Sequence, residues 1–96
     1  MLFLLTQNER SAVNLETAQH LSIIERLGIY ELVFFREGYQ CVVINSFHEE
    51  KYAIDFLRKL LDYIENRDKE EIKPKIITCD LIYNYMRKKE FPIINV

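Results

Sequence analysis

Residues Tyr30 to Ile44 constrain this chain more than any other stretch. Two β-rich runs flank Arg36, Glu37 and Gly38, and a glycine at that place supplies the positive φ of a tight hairpin. Successive side chains of a strand face opposite ways, so Leu32 and Phe34 share one face while Val33 and Phe35 share the other. On the partner run, Cys41 and Val43 likewise oppose Val42 and Ile44. Both faces are apolar, whereas a sheet with one wet face alternates polar and apolar residues. This hairpin must be covered on both sides.

One cover follows in the chain. Over residues 47 to 66, Ala53, Phe56, Leu57, Leu60, Leu61 and Ile64 recur at steps of three and four, the spacing of a helix with one apolar face. Ser46 and Glu49 have capping-box spacing, and Glu49 and Glu50 complement the positive end of the helix. If Ser46 is the cap, losing its hydroxyl costs about 1 kcal/mol.

Before the central hairpin, residues 2 to 6 read as a strand, Gln7 to Ser11 as a polar turn, and Ala12 to Leu15 as its return, which makes a second hairpin. A further strand near His20 to Glu25 puts Leu21 and Ile23 on one face and His20, Ser22 and Ile24 on the other. After residue 66, Arg67 to Lys75 is polar, and Pro74 cannot lie inside a helix. Lys75 to Thr78 suits a short strand, and Asp80 suits the cap of a second helix through Lys89 with Leu81, Ile82, Tyr85 and Met86 as its apolar stripe. Phe91 to Val96 is apolar enough to need burial.

The expected fold is therefore α+β in a single domain over 1–96: an antiparallel β-meander of about five strands (1–46), one long amphipathic helix (47–66), a polar linker (67–75), and a C-terminal segment (76–96) with a short helix and tail. Ninety-six residues with 49% apolar and 29% charged side chains fit one core of globular composition. Two cysteines are too few for a disulfide framework, and Cys41 sits in an apolar run where a thiol behaves as a small hydrophobe. The opening Met1 to Leu5 lacks a basic flank and ends at Thr6, too soon for a secretory leader. No run approaches a membrane span, so a cytoplasmic protein without a membrane partner is expected.

Leu4, Leu5, Thr6 and Gln7, then Val13, Asn14 and Leu15, followed by a meander and a helix opening on paired glutamates, make the chain resemble small uncharacterised proteins of Gram-positive bacteria and their phages or mobile elements. The resemblance covers about two thirds of the chain and rests on common residue types; the segment after Arg67 departs from it. It implies a bacterial or phage accessory protein and brings no catalytic motif with it.

The residues themselves argue against several chemistries. With two glycines ten positions apart, Gly28 and Gly38, neither a phosphate-binding loop, nor a dinucleotide fingerprint, nor a nucleophile elbow can be built. His20, Cys41, His48 and Cys79 are the soft-ligand set, and none forms the short pair from which structural zinc sites are made. A Cys41–His48 dyad lacks the electropositive setting that activates a thiolate. Glu49, Glu50, Asp55, Asp62 and Glu65 alternate with Lys51, Arg58, Lys59 and Arg67, the pattern of a solvated helix face, with Asp55 and Lys59 spaced as an ion pair.

Neither a cofactor nor a metal is expected, and the reading is non-enzymatic: a protein-interaction or accessory role, with a protein partner or a second copy in a homodimer. Val33, Phe35, Phe91, Ile93 and Ile94 are the candidate interface. The alternative is nucleic-acid binding by Lys73, Lys75, Arg87, Lys88 and Lys89, with Tyr83 and Tyr85 as stacking aromatics. The bland reading of the same residues is charge complementing a helix end and rings filling a core. A net charge of -2 gives no general attraction to nucleic acid. A small enzyme without a recognisable motif is the third alternative.

Overall fold

The computed structural model describes residues 2–16, 20–35, 41–67 and 75–86, without the side chain of Cys41. The turn at Gly38, the candidates Lys73, Arg87, Lys88, Lys89, Phe91, Ile93 and Ile94, and residues 68–74 of the linker lie outside the described residues. The elements in order are β1 (Leu2–Leu5), β2 (Ala12–Asn14), β3 (His20–Arg26), β4 (Ile29–Phe35), β5 (Cys41–Phe47), α1 (Glu50–Asn66), β6 (Lys75–Ile77) and α2 (Cys79–Tyr83). The α+β class holds, with five strands ahead of the long helix and a short helix after it.

The strands divide between two three-stranded sheets. The first has the order β2-β1-β6, with β1 antiparallel to β2 and parallel to β6; the second is the antiparallel meander β3-β4-β5. Each sheet turns one apolar face inward. Leu2, Leu4, Val13 and Ile77 come from the first sheet, Leu32, Phe34, Ile44 and Phe47 from the second, and Ala53, Phe56 and Leu60 from α1, all in one contiguous core that Cys79 and Ile82 of α2 complete. Leu21, Ile23, Tyr30 and Val42 extend the inner face of the meander at its margins.

Both faces of β4 are shielded: Leu32 and Phe34 are buried on the inner face, Val33 is 1% exposed on the outer face, and Phe35 is half-buried. The β4–β5 ladder contains one irregularity. Leu32 is opposite Asn45 but Val33 is opposite Val43, so Ile44 is an extra residue in β5, a β-bulge. The two bulge residues Ile44 and Asn45 are both buried, and Phe47 follows Asn45 into the core.

That extension of β5 overturns the expected helix cap. Ser46 is opposite Glu31 in the ladder, the strand runs to Phe47, and α1 starts at Glu50 with Glu49 at its N-cap and no side-chain cap bond. The hydroxyl is committed to a strand position four residues ahead of the helix. On α1, Ala53, Phe56 and Leu60 are buried as expected, but Leu61 is 42% exposed while Asp62 is 0% exposed. Asp62 lies nine residues after Ala53, roughly half a turn round the helix from the core stripe. It thus stands on the side that the charge pattern gives to water, but it is covered there, with the Tyr85 hydroxyl donating to it at 2.9 Å.

Lys75 to Ile77 is a strand as expected, but the second helix differs. Thr78, not Asp80, is its N-cap, accepting from the Leu81 N–H at 3.2 Å. It ends at Tyr83 with Asn84 as its C-cap, whose backbone N–H makes a last helical bond to the Asp80 carbonyl at 3.1 Å and whose side-chain amide donates to the same carbonyl at 2.9 Å. Of the expected stripe, Ile82 is buried, whereas Leu81 is 39% and Met86 85% exposed.

Candidate functional site

The two sheets meet where the β1–β2 turn lies against the bulge of β5. The turn is shaped by its own polar groups. Glu9 N–H donates to the Thr6 carbonyl at 2.8 Å, and Asn8 Oδ1 accepts from the Thr6 hydroxyl at 2.7 Å and from the Arg10 N–H at 3.0 Å. Glu9 takes φ 62° to bring the chain back. The Gln7 N–H donates to the Ile44 carbonyl at 2.8 Å, so the bulge supplies an acceptor that joins one sheet to the other.

A shallow groove of about 330 Å³ opens at this joint, lined by Gln7, Asn8, Val43, Ile44, Asn45 and Ser46. Its surface is more apolar than polar, and no charged side chain is among its described lining residues. Asn45 is held rigidly: its Nδ2 donates to the Tyr83 hydroxyl at 2.8 Å and its Oδ1 accepts from the Ser46 N–H at 2.8 Å. Tyr83 is fixed in turn by edge-on contacts with Phe47 and Phe56, and its carbonyl accepts from Lys59 Nζ at 3.0 Å. Lys59 also forms the expected ion pair with Asp55, at 3.2 Å.

Beside the joint is a smaller cavity of about 30 Å³ between Leu5, Thr6, Gln7, Glu9, Thr78, Cys79 and Asp80. The Cys79 thiol lies 3.5 Å from the Leu5 carbonyl and 3.9 Å from that of Ile44. Burial, reinforced by the Asp80 carboxylate, pushes this thiol from 9.0 up to about 11. It is protonated and unreactive at neutral pH. Among the described residues no group of three or more His, Cys, Asp or Glu side chains could hold a metal ion. His20 packs its ring against Phe35 at the far end of the meander, with centroids 5.6 Å apart, and so does not join Cys79.

Of the candidate nucleic-acid contacts, Lys75 is described, and its ammonium lies 5.8 Å from the centre of the Tyr63 ring. Tyr63 meets Tyr85 edge to face, and the Tyr85 hydroxyl donates to Asp62 Oδ2 at 2.9 Å. The two tyrosines offered for base stacking thus have their rings engaged within the fold. Of the candidate interface, Val33 is buried in the single chain and Phe35 is half-buried.

Sequence reasoning missed Asn45, whose burial follows from the bulge. A signal was there: Val42 and Ile44 are two apart, but the next inward residue, Phe47, is three further on, a step no regular strand accommodates. It also missed the β3–β4 turn at Leu27 and Gly28, where Leu27 takes φ 51° and is 98% exposed. Among the described residues, no helix is long and apolar enough to cross a membrane. No protein-family model matches the chain, and neither curated proteins nor solved structures supply a match.

Proposed function

We propose that this chain is a non-enzymatic interaction module, an accessory protein of bacterial or phage type, which binds another polypeptide in the groove at the β5 bulge. The observation that carries this reading is the make-up of the groove: the exposed apolar side chain of Val43 over a floor closed by the buried Ile44 and Asn45, bordered by the exposed, neutral polar residues Gln7, Asn8 and Ser46. That combination suits a protein contact, which excludes water from an apolar centre and satisfies polar groups at its rim. It does not suit acid–base or nucleophilic catalysis, for which a titratable or activated group must face the substrate. The nearest thiol, Cys79, is held protonated. The nucleic-acid reading gains no support from Lys75, whose ammonium is already placed over a ring of its own fold.

The test is comparative capture from an extract of the native host, using the wild-type chain and Val43→Lys. Val43 is 36% exposed, so a lysine there can reach water without unfolding the sheet. Proteins retained by the wild type and lost by the variant support the groove as the binding site. Identical retention by both chains overturns it.

A further inference from the structure

The β3–β4 hairpin ends in a feature that costs stability and brings no contact within its own chain. Leu27 and Gly28 both have positive φ, 51° and 78°, the geometry of a type I′ turn, in which asparagine or glycine is favoured at the first position. A leucine in the left-handed region is strained by its own Cβ. Its side chain is 98% exposed, and a Cβ built on Gly28 would meet nothing within 4 Å, so the tip stands clear of the molecule. A rigid turn thus holds one apolar side chain out in water.

We infer that Leu27 is a knob whose socket is the β5 groove of a second copy of this chain, in a reciprocal two-fold pair. Three observations favour this occupant. The groove's volume of about 330 Å³ takes one leucine side chain with its flanking backbone, and its surface is mostly apolar. Of the charges that accompany the tip, Arg26 and Glu31 are paired with each other at 3.3 Å and Glu25 is exposed, and the described groove lining is uncharged, so it carries no like charge to repel the tip. The knob and the β5 side of the groove also belong to one sheet. Ser46 of the groove is the ladder partner of Glu31, four residues or roughly 13 Å along the strand from Leu27. Two copies related by a two-fold axis can then exchange tips side by side, each knob in the other's groove, which closes the assembly at two. The contact is small beside the roughly 1,200 Å² of a stable interface, so the pair is transient. The inference rests on the groove being a protein-binding site, as proposed above, and names its occupant.

The experiment is a nitrogen-15 NMR dilution series from roughly 50 µM to 1 mM, a range that reads association this weak, on the wild type, Leu27→Asn and Val43→Lys. In the wild type the amides of Leu27 and Gly28 and those of Gln7, Asn8 and Val43 to Ser46 are expected to shift together with concentration. In each variant association weakens about tenfold or more, the value of one buried leucine. Adding unlabelled Val43→Lys, which keeps its knob, to labelled Leu27→Asn, which keeps its groove, should shift the groove amides again. Leu27→Asn should melt no lower than the wild type, because asparagine suits the left-handed position, so its loss of association is not loss of fold. Concentration-independent wild-type shifts, unchanged association of Leu27→Asn, or a mixture that leaves the groove amides in place would overturn the inference. If it falls while Val43→Lys still loses captured host proteins, the groove keeps its role and only the self-partner is wrong.

Discussion

Asp62 has no water around it, so its carboxylate depends on donors from its own chain. The Asn66 amide reaches Oδ1 at 3.0 Å and the Tyr85 hydroxyl reaches Oδ2 at 2.9 Å. Tyr85→Phe removes one donor from a buried charge and is expected to cost about 1–3 kcal/mol in urea denaturation. Burial and the adjoining carboxylate hold the Tyr85 phenol above its ordinary 10.0, and burial does the same for Cys79. Groups raised in the folded state favour folding fully below their unfolded values, and that contribution disappears as pH climbs through the folded ones. Thermal melts should therefore show stability falling from pH 9.0 to about 11 through Cys79, and further above 10.0 through Tyr85. In Tyr85→Phe the Tyr85 part is missing, while the Cys79 part and that of Tyr83, whose phenol burial also raises above 10.0, remain. Cap residues give a second contrast by the same denaturation measurement. Thr78→Ala should cost about 1 kcal/mol, because the hydroxyl holds the Leu81 N–H; Ser46→Ala should stay within about 0.5 kcal/mol, because its hydroxyl caps nothing. A spacing rule proposed Ser46, and the choice was settled by where β5 stops.

At the scale of elements, what repeated with a regular period was readable and what broke a period was not. The 3.6-residue stripe of α1 and the alternation of β3 and β4 follow from burial on one or both faces, and they stand where the residues put them. Leu27–Gly28 lacks the Asn-Gly signature of its turn type, whereas β6, too short to carry a pattern of its own, was legible as a strand. The candidate site lies in the broken part, at the bulge, which is why Val43 was legible as a strand residue and Ser46 as a helix cap, and neither as a groove residue. Deleting Ile44 should straighten the ladder, since Val42, Asn45 and Phe47 would still face inward. The expected result is a folded meander that has lost the acceptor for the Gln7 N–H. Hydrogen exchange would then show the Gln7 amide unprotected while β4 amides stay slow, and the lost isoleucine side chain should lower overall stability by about 2–5 kcal/mol.

Over the whole molecule, one core serves two sheets, so neither is expected to stand without the other. β1 is the centre of the first sheet, with Leu2 at 2% and Leu4 at 0% exposure, and β6 covers one of its edges. A chain cut after residue 74 loses β6 and α2 together, with Ile77, Cys79 and Ile82 from the core. It should melt without a cooperative transition in calorimetry, even though the meander and α1 are intact in sequence. Fold class was legible because it depends on how many apolar segments there are; the splitting of five strands between two sheets was not, because it depends on a partner for β1 that is more than seventy residues away. That separation bears on biosynthesis. Residues Leu2 to Leu5 are translated more than seventy residues before their parallel neighbour. Until that neighbour emerges the oily ribbon has one bare flank, and the growing polypeptide must keep it from straying to other edges before it can find its seat.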